Sequence, residues 1–196
     1  SVRDLAIVNC NIKSSGAFIG AIAGHAKDIE NCYATGTIEI SGTAGSYAGG
    51  IAGASSGVVK GCYSTVKIIA DSDSNTAKSS GIVGAADIVR NCVALNSELN
   101  AETAKRISCE ELFTKENNYA LQSMKVNGAE VTTDKGASEL NGADLIIKDG
   151  KLYKDDGTEF TWSGFDRNIW TLPTEKGELP RLKYSSKVSL NLNEQA

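Results

Sequence analysis

The chain has 196 residues, with 20 Lys plus Arg against 24 Asp plus Glu, 20 Gly, 5 Cys and a single His. A net charge of −4 supplies no basic stripe for a nucleic-acid backbone, and no apolar run of about 18 residues offers a membrane-spanning helix. The lone His25 excludes HExxH and any zinc site with two histidines, and an odd cysteine count without CxxC argues against structural zinc.

The chain opens in mid-pattern with VRDLAIVNC and without the charged and apolar regions of a signal peptide. It reads as a fragment of a longer parent protein. Similar units then follow one another. Each places an apolar residue three positions before a cysteine: Ile7 and Cys10, Ile29 and Cys32, Val59 and Cys62, Val89 and Cys92. The cysteines advance by 22, 30 and 30 residues. A small apolar element recurs as GAIAG (20–24), GGIAG (49–53) and SGIVG (80–84). A fifth copy is expected at ENNYAL (116–121), with Asn118 in the cysteine place. RISC (106–109) then stands for GIVG, with Ile107 in the apolar position and Cys109 replacing the last Gly.

Within a unit the apolar residues alternate, as in Cys32 and Ala34, with Ile38 and Ile40 after a turn-like Thr35-Gly36. That is a strand period. Units of 20 to 30 residues made of short strands and glycine turns predict a β-solenoid. Ile22, Ile51 and Ile82 form one inward column beside Ala23, Ala52 and Val83. Gly24, Gly53 and Gly84 are expected where the backbone turns or needs positive φ. Asn9, Asn31 and Asn91 suit a side-chain amide ladder. The segments 41–49 and 71–80 are polar and are expected to protrude.

After residue 121 the repeat fades. Asp149-Gly150 between Ile146, Lys148, Lys151 and Tyr153 predicts a hairpin, and SELNGADL (138–145) a turn or short helix. Residues 122–184 read as irregular final coils and a cap over the open solenoid end. Residues 1–184 thus form one domain, with repeats over 2–121, and 185–196 a tail or linker.

GGIAGASSGVVKGCYSTV resembles a GLUG-motif repeat. Met124, Val126, Asn127 and Gly128, and the closing Trp170, Pro180, Arg181, Leu182 and Lys183, are similar to the usual end of such arrays. Val93 departs from the pattern's Tyr, and Gly61 from its Asn. The resemblance implies a right-handed parallel β-helix on a bacterial cell-surface or secreted protein. Such repeats occur in adhesin-like proteins and beside the catalytic domain of immunoglobulin-A-cleaving metallopeptidases. Without HExxH, the protease activity does not carry over.

Each candidate site has a plainer reading. The cysteines could form a metal or redox ladder or a bridge such as Cys10–Cys32, but buried cysteine suits a narrow core, and parallel rungs lie slightly beyond bridging distance. Asp71, Asp73 and Asn75 start like a calcium loop, yet Thr76 and Ile82 stand where Gly and Glu belong, which favours a solvated turn. Asp155 and Asp156 before Gly157 mark an ordinary turn. Asp144, Asp149, Glu159 and Asp166 could hold a carboxylate pair for glycoside hydrolysis, although no spacing places two on one coil face. Trp162, Phe165 and Trp170 could stack on sugar or plug the core. Tyr33 and Tyr63 should point outward if Cys32 and Cys62 point inward, as a binding stripe or a strand-favouring ladder. His25 is expected in an exposed loop. The expected function is a non-catalytic, adhesin-like scaffold without metal or cofactor, meeting a host protein or glycan. The alternative is a polysaccharide-active β-helix enzyme.

Overall fold

A computed structural model describes residues 1–41, 45–71, 76–110 and 114–185. It is all-β, with no helix among the described residues, and its strands stack in parallel as a β-solenoid. Successive circuits contribute short strands to three faces. The first face stacks Val2–Arg3, Ile29–Glu30, Ala52–Lys60, Val83–Arg90 and Thr114–Glu116, with Ala23–Ala26 also on Ala52–Lys60. The second runs from Ala6–Ser14 to Tyr33–Ile40 and there divides, one branch rising through Tyr63–Ser64 to Ala143–Lys148 and the other through Lys67–Ala70 to Lys125–Val126. The third stacks Phe18–Gly20, Tyr47–Gly49, Lys78–Ser80 and Thr103–Lys105.

The turn between the first two faces explains the repeat. Asp4, Asn31, Gly61, Asn91 and Asn117 all have φ between 53° and 59°. Asn, Asp and Gly are the residues that visit this left-handed region at least cost. The Asn31 amide donates to Asp4 Oδ1 at 3.0 Å, and the Asn117 amide to Asn91 Oδ1 at 2.6 Å. The expected ladder of Asn9, Asn31 and Asn91 is thus replaced by two separate rungs, Asn31 on Asp4 and Asn117 on Asn91, interrupted at Gly61, while Asn9 lies outside the column. Gly61 keeps the required φ, and a Cβ there would lie 3.0 Å from Asn31 Oδ1.

The next column is Leu5, Cys32, Cys62, Cys92 and Asn118, each receiving the backbone bond of the following coil. Cys32, Cys62 and Cys92 are fully buried and unbridged. Each thiol donates to a carbonyl two residues earlier, at 3.2–3.4 Å. The Cys62 sulfur accepts the Cys32 N–H at 3.4 Å. Asn118 does both jobs by amide: Oδ1 accepts the Cys92 N–H at 3.1 Å, and Nδ2 donates to the Val89 carbonyl at 2.8 Å. The column thus calls for a compact side chain that can donate and accept, which Cys and Asn share. The fifth copy is confirmed, and Cys109 N donates to the Gly84 carbonyl as predicted for the RISC segment.

Cys10 does not belong to this column. Its strand partner is Gly36, and Asn9-Cys10 lies at a register shift on the second face. An advance of 22 residues is too short for the circuit. Asp4-Leu5-Ala6 is the true first rung, 27 residues before Asn31. The pairing Cys10–Cys32 is thereby excluded. Nor does Thr35-Gly36 turn the chain, since Tyr33–Ile40 is one unbroken strand.

The Ile22, Ile51 and Ile82 column holds, and Ile107 and Leu140 extend it. Gly24, Gly53 and Gly84 differ from expectation, because none has positive φ. They permit close approach between chain segments: a Cβ on Gly53 would fall 2.3 Å from the Ile19 nitrogen, and one on Gly84 2.5 Å from the Gly53 carbonyl oxygen. Within the expected loops, Tyr47–Gly49 and Lys78–Ser80 are strands of the third face, while 42–44 and 72–75 lie outside the described residues.

The parallel stack ends where Ala143–Lys148 turns through Asp149-Gly150 into the antiparallel strand Lys151–Lys154, the predicted hairpin. Residues 138–142 form turns. Beneath the hairpin Arg106 is fully buried. Its guanidinium donates to the carbonyls of Leu121, Asn141 and Gly142 at 2.9–3.1 Å and to Asp144 Oδ1 at 2.8 Å. Lys135 completes the pairing of Asp144.

Candidate binding surfaces

The outward column beside the cysteines is Ala6, Tyr33, Tyr63, Val93, Tyr119 and Ala143. The Tyr33 and Tyr63 rings stack at 4.9 Å and 2°, as parallel rungs require. They do point away from the cysteines, but both are fully buried. The C-terminal segment covers them, so the expected cap is a strap folded back along this flank. Phe160 meets Tyr119 at 4.8 Å, Trp162 and Phe165 meet Tyr63 at 5.9 and 6.4 Å, and Trp170 meets Tyr33 and Tyr63 at 5.9 Å each. The Tyr63 hydroxyl donates to the Pro180 carbonyl at 2.7 Å, and that of Tyr33 to Ser185 Oγ at 3.2 Å. Burial, and then the neighbouring Tyr33, push the Tyr63 hydroxyl well above its usual pKa.

The closing sequence motif now has a physical role. Trp170–Thr171 pairs antiparallel with Arg181–Leu182, which places Trp170 and Pro180 over the tyrosines. Trp162 holds φ 56°, an uncommon conformation for a bulky side chain, and its carbonyl accepts the Phe165 N–H at 2.9 Å. Val93 is the short rung between Tyr63 and Tyr119, the two rings that meet Trp162 and Phe160. Tyr33, Tyr63, Trp162 and Trp170, expected as two separate groups, thus come together in one packed seam with at most 4% exposure, not as a binding stripe or an open sugar platform.

The four acids take separate local roles. Asp144 is buried against Arg106 and Lys135. Asp149 occupies the hairpin turn at φ 50°. Glu159 pairs with Lys151 at 2.9 Å. Asp166 accepts the Asn168 N–H at 2.8 Å in the strap. Asp73 and Asn75 lie outside the described residues, and Asp71 is exposed. No cluster of three potential metal ligands occurs among the described residues.

Several surface features remain open among the described residues. One is a cleft of about 330 Å³ between the hairpin and the strap, lined by Leu152, Phe160, Trp162 and Leu179 with Glu159 and Arg167. A second is a polar groove of about 510 Å³ along the outward residues Arg3, Glu30, Lys60, Arg90 and Glu116, walled by Gly164 and Asp166 of the strap. Within it Glu30 bridges Arg3 at 3.5 Å and Lys60 at 3.0 Å.

The third is the outward column of the third face, where Phe18, Tyr47 and Lys78 stand in register. Phe18 is 46% exposed. Its ring lies 6.1 Å from Tyr47 and 5.9 Å from the exposed His25. Lys78 Nζ sits 4.8 Å from the Tyr47 ring centroid and donates to the Tyr47 hydroxyl at 3.0 Å and to Glu110 Oε1 at 2.8 Å. The Tyr47 hydroxyl donates to the same oxygen at 2.7 Å. Lys78, then Tyr47, lower the Glu110 carboxyl pKa, and Glu110, then Tyr47, raise that of the Lys78 ammonium. Sequence reasoning missed this group, although its signal was present. Phe18, Tyr47 and Lys78 each stand two residues before the GAIAG-type element.

No protein-family model and no curated protein sequence matches the chain. Among solved structures it is similar to a Bacteroides ovatus protein described as a "putative immunoglobulin A1 protease". The identity is 22% and the TM-score 0.58, covering 94% of this chain and 69% of that one. At this identity the likeness shows the fold alone, a β-solenoid.

Proposed function

We propose that the protein is a non-catalytic repeat module of the GLUG type, a rigid scaffold within a larger bacterial cell-surface or secreted protein, meeting a host protein or glycan through its lateral faces. The observation that carries this reading is the fate of the acids. Asp144, Asp149, Glu159 and Asp166 are each engaged in local structure, at different points of the hairpin and strap. The fold supports it too, because stacked coils offer extended columns of side chains on flanks that need not move. The polysaccharide-active reading rests on the charged groove and on the β-solenoid itself.

A glycan array run beside a hydrolase and lyase screen separates the two. Retention of a glycan or host-protein ligand without turnover is the expected result. Turnover that disappears on changing a single acid, such as Asp166→Asn, would overturn the non-catalytic reading.

A further inference from the structure

We infer that the break in the asparagine ladder at Gly61 is a binding site for a primary carboxamide, the side-chain group of glutamine and asparagine. The inference rests on the module being a binding scaffold and names the ligand group and the residues that take it. Asn31, Gly61 and Asn91 are consecutive rungs, since the Asn31 N–H donates to the Lys60 carbonyl at 3.1 Å and the Gly61 N–H to the Arg90 carbonyl at 3.3 Å. In both intact pairs the later amide donates to the rung before it, Asn31 to Asp4 Oδ1 and Asn117 to Asn91 Oδ1. In the same sense, an amide side chain at 61 would accept from Asn91 Nδ2 and donate to Asn31 Oδ1. Glycine does neither, so these two atoms have no protein partner among the described residues. Their rungs stand two coil spacings apart, roughly 9–10 Å, the interval that one further amide in the stack would occupy.

The interval opens to water. Asn31 and Asn91 are half-buried and, with Gly61, line the polar groove of about 510 Å³. Both edges are held before a ligand arrives. Asn31 is bonded to Asp4 and Asn91 to Asn117, and Gly164 of the strap packs so closely on Asn91 that a Cβ there would fall 2.5 Å from the Asn91 Cβ. Ordering these side chains therefore costs little on binding. The strap also brings the Gly164 carbonyl oxygen to 3.8 Å from the point that a Cβ on Gly61 would take, a second acceptor beside Asn31 Oδ1. A primary amide has two N–H groups for these acceptors and a carbonyl for Asn91. A carboxylate has no donor, and an N-substituted amide has only one. Arg90 precedes Asn91, is exposed and forms no ion pair among the described residues, whereas Lys60 is paired with Glu30 at 3.0 Å. Glu116 and Asp166 line the same groove. A ligand with a carboxylate for Arg90 and an N–H or ammonium for the acids fits better than a bare anion. Free glutamine and a Gln-Asp peptide both have that make-up.

The test is a heteronuclear NMR titration of the isotope-labelled whole chain with L-glutamine, L-glutamate, the peptide Gly-Gln-Asp-Gly and its counterpart Gly-Glu-Asp-Gly. The two glutamine probes should shift the side-chain amide signals of Asn31 and Asn91 and the Gly61 N–H, and the two glutamate probes should leave them in place. Tighter binding of the peptide or equal binding of free glutamine each supports the site and fixes the source of the carboxamide. Asn91→Asp keeps the acceptor for Asn117 and removes the unpartnered donor, so it should weaken glutamine binding by roughly tenfold. Gly61→Asn supplies the missing rung from the chain itself, at a φ that Asn tolerates. It should abolish binding and melt with the parent. The site is refuted by an absence of shifts at these three residues with every probe, by equal shifts with the glutamate probes, or by glutamine binding that Asn91→Asp leaves unchanged. The scaffold reading is decided separately, by the glycan and host-protein screen.

Discussion

Tyr63→Ala is the sharpest perturbation of this fold. The ring stacks on Tyr33 and touches Trp162, Phe165 and Trp170, while its hydroxyl holds the strap at the Pro180 carbonyl. Truncating a fully buried aromatic ring costs about 3–5 kcal/mol, and the orphaned buried carbonyl adds to it. For a chain of this length each kcal/mol moves the melting temperature by about 2–4 °C, so the expected fall is on the order of 10 °C. Both tryptophans lie in the strap, at 4% and 1% exposure. Intrinsic emission therefore reports strap docking, and far-ultraviolet circular dichroism reports the coils. Heating should shift the emission to the red before the coils melt, and Tyr63→Phe should show a smaller version, about 1–3 kcal/mol. If Tyr63→Ala kept the parent's emission and a single coincident transition, the strap would not be held by the tyrosine column.

Ile51→Asp places an unpaired carboxylate in a site with no exposure and should prevent folding, judged by loss of the strand signal. A mutant melting like the parent would contradict the inward column. Burial raises the Cys10 and Cys109 thiols above their usual pKa, Cys109 to about 11. The Cys62 thiol is likewise raised well above it. A thiolate-specific reagent at pH 8 should therefore react slowly with the native protein and reach all 5 cysteines after denaturation. Fewer titratable thiols after denaturation would mean bridges. Arg106→Met removes the buried partner of Asp144 and should cost about 3–5 kcal/mol. A variant that melts like the parent would show that this buried pair does not hold the fold.

The repeat, the β-solenoid, the inward isoleucine column and the Asp149-Gly150 hairpin were legible in the sequence, because each depends on short-range pattern: alternation, turn residues and a fixed interval. The fifth copy was legible too, since Asn118 keeps the hydrogen-bonding duties of Cys. Cys10 misled because identical dipeptides, Asn-Cys, occur at a rung and at a bulge. Only the number of residues needed to close a circuit tells them apart. The glycines of GGIAG misled for a similar reason, since composition does not distinguish a residue chosen for φ from one chosen for close approach.

Sequence by itself determined which residues share a column, for stacking in parallel makes that a matter of counting. Tertiary structure alone decided which columns meet water. Tyr33 and Tyr63 point outward as counting requires, yet they lie in a dry seam because a segment more than a hundred residues later folds back over them. Phe18 and Tyr47 occupy an equivalent outward column on the third face, where Phe18 stays exposed and Tyr47 half-buried. The difference comes from the path of the strap, set by long-range packing of Trp162, Phe165 and Trp170, which no local period encodes.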